Sequence, residues 1–262
     1  MAPRGGRLIE ARRLFPKAPE PFIDLSTGIN PLSYPIPAIE TSAWTRLPEP
    51  EAIARLEAVA AKVYGVADGS MVASVPGTQL LISLLPRLYP HASVAILGPT
   101  YGEYARSFEA AGRRVVEAST LDALADAACA ILCNPNNPDG RRFDAGTLLA
   151  LARQRAGDGL LIVDESFADL EGDGLSLAPH LPLPGMLVLR SLSKSYGLGG
   201  VRLGFALADP EPAASIRAAL GPWPISGPAV EIGALALVGG KPRSSGLHKT
   251  SHDSMGCCAR PA

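Results

Sequence analysis

Short, near-continuous apolar runs alternate with longer amphipathic stretches along most of the chain. The runs fall at 71–75, 94–97, 130–133, 160–163, 186–189 and 203–207. Continuous apolarity over so few residues predicts strands covered on both faces, as in a parallel sheet. Between them lie stretches with helical period. Ile53, Leu56, Val59, Ala60 and Val63 share one helix face, and Gly65 ends that helix. Further helices are predicted over 79–88, 101–111, 145–155 and 226–238. The alternation predicts an α/β fold with a mostly parallel central sheet flanked by helices.

The ends of the chain have a different pattern. Residues 1–48 are rich in Pro, Gly and Arg and predict a short helix with extended segments, an arm ahead of a domain over 49–238. From 239 to 262 no apolar period remains, which predicts a tail that packs on nothing. The composition of that tail suggests a truncated or frameshifted end.

Composition narrows the classes of function. At 262 residues and 47% apolar content, the chain can bury a sizeable core. A formal net charge of -1 gives no broad pull toward nucleic acid or an anionic membrane. No stretch reaches the roughly 20 apolar residues of a membrane span, and the N-terminus has no secretory apolar core. Four cysteines are too few for a disulfide scaffold. Cys129 and Cys133 sit in an apolar run and read as core, while Cys257 and Cys258 have no ligand pattern around them, so no metal site is expected. A reducing, cytoplasmic setting fits this usage.

Candidate chemistry collects at the ends of predicted strands, where open parallel sheets bind ligands. Gly77, Thr78 and Gln79 form a strand-to-helix turn that reads either as an ordinary capped turn or as an anion site. Tyr101 follows a strand, where an aromatic can pack or stack on a planar ring. Asn134, Asn136 and Asn137 crowd a turn-rich loop. Asp164 ends four apolar residues, where a carboxylate needs a partner: a metal, a helix end or a ring N–H. The segment from Ser191 to Gly204 decides among these readings. It holds Lys194 between serines, a glycine-rich turn, and Arg202 eight positions on.

With that segment, the ordered motifs over 28–204 resemble the aspartate-aminotransferase-like, fold-type I enzymes that use pyridoxal 5′-phosphate (PLP). The resemblance implies a fold-type I large domain, with most of the small domain outside this chain. It makes Lys194 the residue that holds PLP as a Schiff base, an amine that must be deprotonated to act. It puts Asp164 against the pyridine nitrogen, Asn137 at the ring hydroxyl and Tyr101 on the ring face. It assigns the phosphate to Gly77, Thr78 and Gln79, with Ser191 and Arg202 adding polar bonds. A homodimer is implied as well.

The reaction follows from whichever bond the site holds perpendicular to the ring, so the fold alone does not set it. Residues 22–31 and 46–50 resemble the threonine-phosphate decarboxylases of cobalamin biosynthesis. That implies a small phosphorylated amino-acid substrate, bordered by Gly28, Ile29 and Asn30, with Arg4 near its phosphate. Histidinol-phosphate aminotransferases share the motif order. They usually carry a tyrosine where Leu47 stands here, and many aminotransferases carry one where Phe167 stands. The arginine that clamps the substrate carboxylate in such enzymes has no counterpart that the sequence identifies. A chain that binds PLP without turnover is a further alternative.

Overall fold

The apolar runs pair into one seven-stranded sheet in a computed structural model that describes residues 5–155, 159–171 and 174–240. The strands are β1 (Val72–Val75), β2 (Ser93–Leu97), β3 (Arg114–Ala118), β4 (Cys129–Cys133), β5 (Leu160–Asp164), β6 (Met186–Ser191) and β7 (Gly204–Ala208). Their order across the sheet is β1-β7-β6-β5-β4-β2-β3. Only β7 runs antiparallel to its neighbours, and every other pairing is parallel. The remaining six strands therefore end at one edge of the sheet.

Both faces are covered, as continuous apolar strands require. In β4, Ala130 and Leu132 join one core while Cys129, Ile131 and Cys133 join the other. In β5, Leu161 and Val163 face the first core, and Leu160 and Ile162 the second. The first core is closed by the helices Pro50–Tyr64, Ala145–Gln154 and Gly227–Gly239. The second is closed by Thr78–Leu88, Glu103–Ala110 and Pro210–Leu220. Gly65 ends its helix in the left-handed region at φ 73°, as its position predicts.

Among the elements not predicted are β3 and the helix Pro210–Leu220. β3 is an edge strand whose Arg114 and Glu117 face water, so only Val115 and Val116 carry an apolar signal. The helix Pro210–Leu220 buries only Ala213 and Ile216, too little for a clear apolar face. The arm contains the helices Leu8–Leu14 and Thr41–Thr45, neither of which buries a residue. Arg4 and residues 241–262, which hold nearly all of the expected tail with Cys257 and Cys258, lie outside the described residues. No helix among the described residues is long and apolar enough to cross a membrane.

Beneath the strand ends lies a buried charge cluster. Arg190, in β6, donates to Glu165 Oε2 at 2.7 Å and to Asp169, and its guanidinium packs 4.5 Å from the Tyr64 ring centroid. Glu165 also accepts from the Ser176 hydroxyl and the Leu177 N–H, both at 2.6 Å. Burial pushes the Glu165 carboxyl above its ordinary range, against the pull of Arg190. The cluster ties the loop after Asp164 to the strand that leads to Lys194. Arg190→Leu would strand two buried carboxylates, with an expected cost of about 3–5 kcal/mol. Arg142→Ala, which breaks the exposed Arg142–Glu171 pair, should cost less than about 1 kcal/mol. Urea denaturation of both variants beside the parent chain measures the difference.

Candidate active site

The ends of β1, β2, β4, β5 and β6 each deliver an element to a cleft of about 910 Å³. After β1, Gly77 turns the chain into the helix Thr78–Leu88 with φ +79°, a conformation that favours glycine. A Cβ at this position would also lie 2.5 Å from Arg202 Nη2. Glycine thus lets the guanidinium close on the helix N-terminus. There the first N–H groups have no partner within the helix. Arg202 sits at φ +57°, an uncommon conformation for a side-chain-bearing residue, and donates from Nη1 to Gly199 O at 3.1 Å. Together these groups make a cup for an anion.

After β6, Ser191 caps the four-residue helix Leu192–Ser195 by accepting from Ser193 N–H at 3.2 Å. Lys194 points into the cleft, where its Nζ donates to Thr27 O at 2.7 Å. Its amine stands 5.6 Å from the Phe167 ring centroid. Burial lowers the Lys194 pKa; Asp164 pulls it back up, and Arg202 pushes it further down. The result favours the neutral amine more than water does.

After β5, Asp164 is buried on the floor of the cleft. Its Oδ2 accepts from Tyr104 Oη at 2.7 Å and its Oδ1 from Ser166 N–H at 2.9 Å. Tyr104 is fully buried, and burial, then Asp164, holds its hydroxyl far above the ordinary tyrosine value, so it stays a donor. Cys133 lines the same floor with its thiol pushed up by burial and by Asp164, which leaves it protonated and inert.

The asparagine loop after β4 divides its labour. Asn134 exchanges two 2.9 Å bonds with the Phe143 backbone. Asn136 bonds Thr100 Oγ1, Pro99 O and Asp139. Both are spent on loop structure. Asn137 lines the cleft, and its side chain makes no hydrogen bond among the described residues. After β2, Tyr101 also lines the cleft and donates to Gln79 Oε1 at 2.9 Å.

Asn30 is placed differently from expectation. It does not line the cleft. Its N–H donates to Lys194 O and its Nδ2 to Ser195 O, both at 3.0 Å, and its Oδ1 accepts from Leu32 N–H. Through these bonds Asn30 fixes the arm to the lysine turn. Gly28 and Ile29 do line the cleft, and a Cβ on Gly28 would meet the Phe167 ring at 3.4 Å. Sequence reasoning overlooked Tyr104, Ser193 and Thr27. Tyr104 lies one helical turn beyond Tyr101, a spacing that could have drawn attention to it. Thr27 acts through its backbone carbonyl and leaves no side-chain signal.

The described residues therefore offer a neutral-leaning amine, an anion cup, a buried carboxylate, an aromatic wall and an unspent amide. That donor set, with the close approach that Gly77 permits, fits a planar phosphorylated ring bearing an aldehyde. A family model described as aminotransferase class I and II matches residues 20–251.

The chain belongs to the aminotransferase class I and II family.

Within that family it is 47% identical over 239 residues to a threonine-phosphate decarboxylase of Sinorhizobium, covering 90% of this chain and 71% of that one. It is 40% identical over 241 residues to the threonine-phosphate decarboxylase of Pseudomonas aeruginosa, with the same coverage of both. A histidinol-phosphate aminotransferase of Aeromonas hydrophila is 32% identical over 227 residues, covering 81% of this chain and 63% of that one. Among solved structures, the L-threonine-O-3-phosphate decarboxylase of Porphyromonas gingivalis shares the fold at a TM-score of 0.68 and 23% identity. It is matched over 75% of this chain and 64% of its own. The histidinol-phosphate aminotransferase of Sinorhizobium meliloti, solved in complex with pyridoxal-5′-phosphate, matches at a TM-score of 0.64 and 26% identity. That match covers 74% of this chain and 57% of the other.

The electrostatics predict how the lysine titrates in the cofactor-free chain. Amine labelling across pH, read by mass spectrometry, should give Lys194 a midpoint below the ordinary value of about 10.4. Arg202→Met removes a repulsive charge and should move that midpoint up. Asp164→Asn removes an attractive charge and should move it down.

Proposed function

We propose that this chain binds PLP through Lys194 and decarboxylates L-threonine O-3-phosphate, releasing carbon dioxide and (R)-1-amino-2-propanol O-2-phosphate for cobalamin biosynthesis. The observation that carries the reading is the similarity to two threonine-phosphate decarboxylases at 47% and 40% identity, above the 32% to a histidinol-phosphate aminotransferase.

When bound, the cofactor supplies a ring that takes up the electron pair of the bond broken at the substrate Cα. The chain's own residues do the rest. The N–H groups of Thr78 and Gln79, with Ser191 and Arg202, would hold the cofactor phosphate. Asp164, oriented by Tyr104 and Ser166, would face the ring nitrogen and favour its protonated form. Asn137 would donate to the ring hydroxyl, and Tyr101 would pack on the ring. Lys194 would hold the cofactor aldehyde, and its Nζ would be the group that supplies the proton replacing the carboxylate. Phe167, beside Lys194 and Gly28, gives the reacting side an apolar wall. An apolar wall raises the cost of a charged carboxylate and favours its loss as neutral carbon dioxide.

Gly28 and Ile29 border the substrate. Arg4, outside the described residues, is assigned to the substrate phosphate on the resemblance alone. A homodimer is part of the proposal. The exposed Ile23 and Leu25 of the arm, the latter at the cleft mouth, support it as surface for a second copy.

Purified protein tests the reading. The parent chain should develop an absorbance band with PLP that Lys194→Ala abolishes, and release carbon dioxide from threonine phosphate. Lys194→Ala should lower turnover by at least about a thousand-fold. Glutamate-dependent amination of imidazole-acetol phosphate without carbon dioxide release would assign the transaminase reaction instead. A PLP band without either turnover would leave a binding protein.

A further inference from the structure

A hydrogen-bonded chain of side chains runs along one wall of the cleft. Tyr101 Oη donates to Gln79 Oε1 at 2.9 Å, and Gln79 Nε2 donates to Glu103 Oε2 at 3.3 Å. Arg106 closes the chain by donating to the other oxygen of Glu103. All four residues line the cleft. Gln79 stands on the first turn of the helix whose N-terminus forms the anion cup, two residues after Gly77. Tyr101 belongs to a different connection, the turn between β2 and the helix Glu103–Ala110.

The primary amide of Gln79 satisfies both neighbours at once, with its oxygen and its nitrogen. Tyr101 presents a donor and needs an acceptor. Glu103 presents a carboxylate and needs a donor. A glutamate at 79 would meet the Glu103 carboxylate with a second negative charge, and a leucine would offer neither group. The tyrosine ring is 40% exposed and touches Tyr104 edge-on, with centroids 6.4 Å apart and planes at 85°.

We infer that Gln79 is a positioning residue acting through Tyr101: its side-chain amide fixes the tyrosine ring relative to the anion cup, so that phosphate and ring are received in one geometry. This role belongs to the side chain and is separate from the backbone N–H at the helix end, which survives substitution. The inference rests on the PLP reading above.

The test uses the full-length chain with PLP as the probe. Gln79→Leu and Tyr101→Phe each remove one partner of the Tyr101–Gln79 bond, and Gln79→Leu also removes the bond to Glu103. Each should weaken PLP binding by about five- to ten-fold. Each should also alter the induced circular dichroism of the bound cofactor in the same sense. Because both break the Tyr101–Gln79 bond, the double variant should match Gln79→Leu within about two-fold. Gln79→Glu supplies a second, independent arm. Its new carboxyl faces Glu103, Tyr101 and Arg106 along the wall, with Arg202 and Lys194 across the cleft. Repulsion from Glu103 raises the pKa of that carboxyl, and only its protonated form can donate to Glu103. The binding deficit of Gln79→Glu, taken relative to the parent chain at each pH, should therefore shrink between about pH 8 and about pH 5.

A parent chain lacking the Lys194-dependent band overturns the PLP reading and this inference with it. A parent chain with the band overturns Gln79 alone if the single variants bind and rotate light as it does. Additive losses in the double variant, or a Gln79→Glu deficit that does not change with pH, have the same consequence.

Discussion

The site depends on how residues 27–34 dock against the turn that carries Lys194. Asn30 spends its backbone N–H and its amide on Lys194 O and Ser195 O. Ser33 Oγ donates to Gly197 O at 3.2 Å, and Tyr34 N–H to Tyr196 O at 2.8 Å. The fit is close enough that a Cβ on Gly197 would lie 2.7 Å from Asn30 O, and that glycine also has φ +67°. A buried amide left unbonded costs about 1–3 kcal/mol, so Asn30 selects one register of the arm over its neighbours. That register puts Thr27 O at the lysine amine and Gly28 at the Phe167 ring. Without it the cleft loses a wall and the amine regains water.

Burial of that amine is the second constraint. Desolvation makes a charged lysine costly, and Arg202 adds to the cost while Asp164 reduces it. The balance works because the three groups come from different strand ends and stay fixed. Asp164 is held by Tyr104 and Ser166, and Arg202 by its bond to Gly199. Behind them, Arg190 ties Glu165 and Asp169 together, so the residue after Asp164 and the residue before Ser191 share one ion cluster. The geometry of the cleft is thus secured from below, by charges that face no ligand.

Much of this was legible in the sequence for physical reasons. Strands buried on both faces must be apolar throughout, so β4, β5 and β6 stood out. Special chemistry at strand ends also stood out, because Asp164 and Lys194 are expensive in such places. β3 was hidden because an edge strand can expose Arg114 and Glu117. From sequence Asn30 reads as a substrate residue, because type and neighbourhood cannot tell a latch from a ligand. Its partners are backbone carbonyls of residues 194 and 195, which no local pattern encodes. Tyr104 was passed over for a related reason, since a buried tyrosine reads as packing until its hydroxyl is seen on Asp164.

The latch also fixes an order of events during synthesis. The Asn30–Ser195 bond joins positions separated by 165 residues. The arm is made before any of the strands, yet its docking partner is made only after six of the seven. Early in translation the exposed Ile23 and Leu25 have no lysine turn beside them. Closing so long a loop is entropically costly until the sheet has brought its ends together. The arm is therefore made before the sheet and seated after it, and the lysine pocket is completed only when the sheet is nearly whole.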